Sequence, residues 1–382
     1  MVSSPADSGD PSAAPAPWWL YHGTGRPRPG FRLADELPPP PPWRRFADPA
    51  TTELATPPPL DQPGPEADRI LGPVHAGTDG SSHASRQQLD KINAAIVLRR
   101  PLLVSGPPGS GKSALATLIA RELQLGPVLR WTINSRSDVG SGLYDYDPMA
   151  QIHDINLETA LYQSRAQRPY AQSTSSAPGV RDSAERIGDY LRLGPLGTAF
   201  LPFELPRVLL IDEFDKGDLD LANDLLELFE SGRYEIPELR RLAPTAPSLR
   251  VPTADAAGMV TVTGGAVECS AFPIVVLTSN GERDFPPAFL RRCIPLHLDE
   301  FSEEQLAAVI AAHFTHGGTE RDRALIRAFL DHSQDHGGLA IDQLLNSVYM
   351  ATSTGLLDGG TWSQETVHRV RTLLWHRLTE GP

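Results

Sequence analysis

Eight residues constrain this chain more than any others: Gly106, Pro107, Pro108, Gly109, Ser110, Gly111, Lys112 and Ser113. They fit the pattern G-x4-G-K-[ST], and they stand between a short apolar run, Pro101–Ser105, and a helical pattern over Ser113–Leu123. Strand, glycine loop and helix in that order form a cradle for phosphate. Glycine lets the backbone wrap closely enough for amides to point at phosphate oxygens. The helix N-terminus adds partial positive charge. Lys112 is then expected to reach the β- and γ-phosphates and the Ser113 hydroxyl to ligate Mg²⁺. The chain has three lysines, Lys91, Lys112 and Lys216, against 31 arginines, so a lysine at this position is a rare choice.

A second apolar run, Val208–Ile211, ends in Asp212 and Glu213. Parallel strands buried on both faces read as continuous apolar runs, and open α/β sheets place their ligands at the carboxyl ends of such strands. Asp212 is expected to hold Mg²⁺, and Glu213 to polarise an attacking water. A third run, Phe272–Thr278, leads to Asn280, read either as a contact to the γ-phosphate or lytic water or as a plain Asn-Gly turn. Arg291 and Arg292 follow near the end of a short helix, where a surface pair is usually solvated or ion-paired.

The rest of the chain supplies the frame. Strands alternating with helices predict a doubly wound parallel sheet from about residue 86 to 300. From Phe301 to residue 382 the pattern is helical throughout, opening with Ser302 as a cap and Glu303 and Glu304 in the first turn. Residues 1–80 hold 18 of the 37 prolines and show no period, which predicts an extended, mostly disordered arm. That arm also carries Trp18, Trp19, Tyr21, Trp43 and Phe46, so segments 18–21 and 43–46 are expected to dock on the core, a neighbouring subunit or a partner. A loop is expected over Ala171–Ser183, and Trp362 and Trp375 are expected to anchor the helical C-terminal core.

Composition narrows the function. A net charge of −13 argues against nucleic acid as the main partner. Two cysteines, Cys269 and Cys293, provide no disulfide framework and no zinc spacing, consistent with a reducing, cytoplasmic compartment. Met1–Asp10 has no basic stretch followed by an apolar run, so no secretory leader is expected. There is no long apolar segment of spanning length. His332 and His336 lie four apart without a third ligand and are read as solvated or capping residues.

Taken together, GPPGSGKS, LLIDEFDK, VVLTSN and PPAFLRRC resemble the Walker A, Walker B, sensor 1 and arginine-finger segments of the AAA+ ATPases, over about residues 86–355. Leu193–Gly197, and the stretches 230–239 and 260–267, resemble the hairpins of the MoxR-type group within them. The resemblance implies a P-loop NTPase α/β domain with a small all-α lid, using ATP and Mg²⁺. It assigns Lys112 and Ser113 to phosphate and metal, Asp212 to the metal, Glu213 to the water and Asn280 to sensor 1. It makes Arg292 the finger, with Arg291 the alternative, and Asn134 a coupler to cargo. It further implies a homo-oligomer, most simply a hexameric ring, and a chaperone-like role with a protein partner that often carries a von Willebrand factor A domain. Two alternatives stand beside it: a nucleotide-gated scaffold that hydrolyses weakly, and a nucleic-acid motor of the restriction or helicase-loader kind. In one respect the chain departs from the family: the lid segment 338–345 offers no arginine.

Overall fold

The structure is a computed structural model describing residues 15–62, 64–73, 84–166, 185–314, 322–336, 340–353 and 363–375, with side chains left undescribed at a few helix positions, including His336. The loop expected over 171–183 and Trp362 lie outside these residues.

Five parallel strands form the central sheet: β1 (Leu102–Ser105), β2 (Leu129–Thr132), β3 (Val208–Asp212), β4 (Ile274–Ser279) and β5 (Ile294–His297), in the order β5-β1-β4-β3-β2. Successive strand residues point to opposite faces, and the burial follows suit. Leu102, Val104, Val208, Leu210, Ile274 and Val276 enter one apolar core, whereas Leu103, Leu209, Ile211, Val275 and Leu277 enter the other. Both faces are thus covered, as the uninterrupted apolar runs require.

The helices flanking the sheet start and stop where local chemistry dictates. Ser85 and Gln88 form a capping box ahead of the helix Arg86–Leu98. Gly232 ends the helix Leu219–Ser231 in the left-handed conformation that glycine adopts without strain. Ser302 and Gln305 cap Glu303–His313, the first helix of the C-terminal part. There Leu306, Ile310, Leu325, Phe329, Leu344, Val348 and Trp375 form a separate small core. The Trp375 indole donates to Ser347 Oγ at 2.9 Å, as a buried indole N–H requires.

The N-terminal arm differs from the mostly disordered segment that its composition predicts. From residue 15 to 62 it runs over the domain with few regular elements, and Trp19, Leu20 and Tyr21 are buried in the core beside Leu89, Ile92 and Ile119. The reason is a set of buried polar partners. Asn93 accepts from the amides of Leu20 and Tyr21 and donates back to the Tyr21 carbonyl. Glu122, fully buried, accepts from His22 N at 2.5 Å, Thr24 N at 2.7 Å, Thr24 Oγ1 at 2.9 Å and Gly25 N at 2.9 Å. Further along, Phe46 stacks on Phe272 and fills the space beside Gly232. Trp18 and Trp43 stay exposed.

Three antiparallel strand pairs depart from the simple alternation. Tyr144–Tyr146 pairs antiparallel with Leu191–Leu193, just ahead of Gly194-Pro195. Arg233–Glu235 pairs with Ala266–Glu268, and a second hairpin, Ser248–Pro252 with Met259–Thr263, is nested inside that pair.

Candidate functional site

The glycine loop leaves β1 and enters the helix Lys112–Glu122. Gly106, Gly109 and Gly111 all have positive φ (153°, 78° and 80°), a region that residues with a Cβ avoid. Space forbids one as well: a Cβ on Gly106 would strike the Leu298 carbonyl, and one on Gly111 would lie 2.9 Å from the Phe301 ring. No side chain caps the helix that follows, whose N-cap is Gly111. Its first amides are thus left without a side-chain acceptor, as an anion site requires. Ser110 Oγ is buried with no partner among the described residues. Lys112 folds back on the loop, donating to the carbonyls of Gly106 (2.8 Å) and Pro107 (2.7 Å). Burial holds its ammonium below the usual lysine range, and Asp215 and Asp212 pull it part of the way back.

Across from the loop, the ends of β3 and β4 meet it. Ser113 Oγ donates to Asp212 Oδ1 at 2.6 Å, and Thr278 Oγ1 donates to the same oxygen at 2.6 Å. The Glu213 amide donates to Thr278 Oγ1 at 2.9 Å. Glu213 itself takes a left-handed backbone, φ 58°, and its carboxylate pairs with Lys216 at 2.8 Å. That hydrogen bond raises the Lys216 ammonium above its ordinary value. Asp215, buried, accepts from the amides of Asn280 (2.8 Å) and Glu282 (3.1 Å), tying the tip of β4 to the turn after β3.

Ser113 and Asp212 are therefore in direct contact, Thr278 links Asp212 to Glu213, Lys216 pairs with Glu213, and Asp215 holds the Asn280 amide. Asp215, Thr278 and Lys216 had no site role in the sequence reading. Thr278 could have been found as the first hydroxyl at the tip of an apolar strand, and Asp215 and Lys216 as charged residues immediately after the Asp-Glu pair. Arg291 and Arg292 are engaged elsewhere: Arg291 is exposed, and Arg292 pairs with Glu230 and donates to the Ala288 carbonyl. Phe214, next to Glu213, packs on Phe289, two residues before Arg291, with ring centroids 5.2 Å apart. Asn134 is exposed, and its side chain accepts from the Arg136 amide within its own turn.

Beside the loop, a cavity of about 30 Å³ separates Pro107–Ser110 from Phe301, Leu306, Phe329, Ser333 and Ile341 of the helical part. Among the described residues, none that lines it is basic. A larger cavity, about 440 Å³, lies between the two hairpin regions and includes no residue of the glycine loop. Among the described residues no cluster of three or more His, Cys, Asp or Glu side chains could hold a metal ion, and no helix is long and apolar enough to cross a membrane.

A parallel sheet with a glycine loop at the carboxyl end of its β1 strand and an acidic β3 tip beside it defines a P-loop nucleotide-binding protein. The family model described as AAA domain (dynein-related subfamily) matches residues 101–293, from the start of β1 to the arginine pair. The chain belongs to that family of AAA+ ATPases. No curated protein matches it.

Proposed function

We propose that this chain binds ATP with Mg²⁺ on the Gly106–Ser113 loop and hydrolyses it between subunits of a homo-oligomeric ring, most simply a hexamer. In this reading turnover drives chaperone-like remodelling of a partner protein, as in the MoxR-type group, whose partners often carry a von Willebrand factor A domain. The observation that carries the chemistry is the convergence of Ser113 and Thr278 on one oxygen of Asp212, each at 2.6 Å. Two oxygen donors already in contact suit Mg²⁺, which takes few protein ligands and keeps several waters. The uncapped helix, the three glycines and the partnerless Ser110 hydroxyl suit phosphate oxygens. Held by Ser113 and Asp212, Mg²⁺ would supply positive charge that offsets the phosphate charge at the loop.

Each residue then has a role. Lys112 exchanges its two loop carbonyls for phosphate oxygens. Glu213 orients the attacking water, Asn280 contacts the γ-phosphate, and Arg292, or Arg291 beside it, completes the site of a neighbour. The division into an arm, an α/β domain at 86–300 and a lid at 301–382 belongs to the same reading.

One observation favours the scaffold reading as a second: among the described residues, the helical side chains facing the glycine loop across the small cavity include no basic one. That arrangement predicts slow turnover. Mixing Arg292→Ala with Glu213→Gln subunits tests the shared site. Mixed assemblies should regain turnover that neither variant has alone; mixed assemblies without turnover would contradict a finger acting between subunits.

A further inference from the structure

The N-terminal arm brings a fourth arginine to the edge that carries Arg291 and Arg292. Arg44 donates to the Phe229 carbonyl at 2.5 Å, one residue before Glu230, and its guanidinium lies 5.4 Å from the Phe272 ring centroid. Glu230 pairs with Arg292. Arg100 completes the group by donating to the carbonyls of Arg291 and, at 3.1 Å, Arg292. Among the described residues, the one carboxylate in ion-pair contact with any of these four arginines is Glu230. Burial lowers the Arg44 pKa first, and Arg100 and Arg292 lower it further against the pull of Glu230. Like charges held this close disfavour one another unless an anion answers them. Beside Arg44, Trp43 is 78% exposed, although large aromatics are characteristic of interface cores.

The complementary surface is on the same molecule. Glu230 sits at the end of the helix Leu219–Ser231, whose start carries exposed Asp218, Asp220 and Asp224 around an exposed Leu219. Thirteen residues of helix span about 20 Å, so the cationic edge and the acidic surface stand at opposite ends of one element. Two complementary surfaces at opposite ends of one element suit a head-to-tail contact between copies, which closes into a ring when the rotation between copies closes.

We propose that Trp43 and Arg44 of the arm, with Arg100, extend the Arg291–Arg292 edge and dock on the Asp218–Asp224 surface of a second copy of this chain, with Leu219 as the apolar contact for Trp43. This rests on the reading that Arg291 and Arg292 face a neighbouring subunit. It adds that the arm is part of that interface and that removing it weakens assembly without touching nucleotide binding.

The test is sedimentation of the full chain with Mg²⁺ and a non-hydrolysable ATP analogue. Arg44→Gln keeps a donor for the Phe229 carbonyl, so the arm stays docked while the charge goes; Trp43→Ala alters an exposed side chain. Each should raise the concentration for half-assembly about fivefold, the scale of one exposed charge or contact. The triple variant Asp218→Asn, Asp220→Asn, Asp224→Asn should do the same, and affinity for a fluorescent ATP analogue should stay within about twofold in all three. Wild-type assembly by all three, with turnover still lost in Arg292→Ala, overturns the arm's role and leaves the shared site standing. A wild-type chain that stays monomeric overturns both. Normal assembly by Arg44→Gln with loss of binding to a single-stranded oligonucleotide would make the patch a nucleic-acid site and overturn the proposal.

Discussion

Ser113 Oγ donates to Asp212 Oδ1 at 2.6 Å, joining the first turn of the helix after the glycine loop to the end of β3. The two residues are 99 positions apart in sequence, and parallel packing of β1, β4 and β3 brings them together. Thr278, at the end of β4, reaches the same oxygen and holds the Glu213 amide as well.

Thr278 is therefore expected to position both acids without touching nucleotide. Thr278→Val keeps the shape and removes both hydrogen bonds. Turnover should fall about 10- to 100-fold, the range for loss of an outer partner of a metal ligand, while ATP affinity changes little. Steady-state kinetics with a direct binding measurement separate the two effects.

Lys112 is an ammonium buried against carbonyls, an arrangement that favours ligand binding over stability of the empty chain. Lys112→Met should abolish ATP binding and leave the melting midpoint of the nucleotide-free chain equal or higher by about 2 °C. Calorimetric titration and thermal unfolding check the two halves.

Glu122 ties the arm to the domain through four hydrogen bonds. Glu122→Gln turns an acceptor into a partial donor facing N–H groups. The expected loss is about 2–4 kcal/mol in urea unfolding, since bonds to a charged acceptor are each worth about 1.5–3 kcal/mol. The arm should also become an early site of proteolytic cleavage.

Arg207 and Asp255 form a buried two-pronged pair at 2.8 Å for each contact. Asp255→Asn leaves the guanidinium buried and unpaired, which should cost about 3–5 kcal/mol. Urea unfolding at neutral pH measures it.

The glycine loop and the β3 acids were legible in the sequence because each combines a fixed spacing with an apolar strand beside it. The order of strands in the sheet lies in no single segment. Thr278, Asp215 and Lys216 have no signal in the pattern for a shared reason: they act on residues brought near by strand ends or a tight turn. The helix Pro148–Ala166 escaped because it leaves Met149, Ile152, Ile155 and Leu157 exposed, so no buried apolar face shows in its pattern. In the arm, the aromatics of segments 18–21 and 43–46 point to docking, whereas the order around them has no signal in proline content, because it comes from Asn93 and Glu122, polar residues inside helices that read as ordinary amphipathic ones.

In the proposed site Glu213 acts on water at a nucleotide held by the glycine loop. Mg²⁺-ATP turnover by Glu213→Gln, with ATP binding measured in parallel, tests it most directly. Binding should be retained and turnover reduced about 100-fold or more. Wild-type turnover by Glu213→Gln would contradict it.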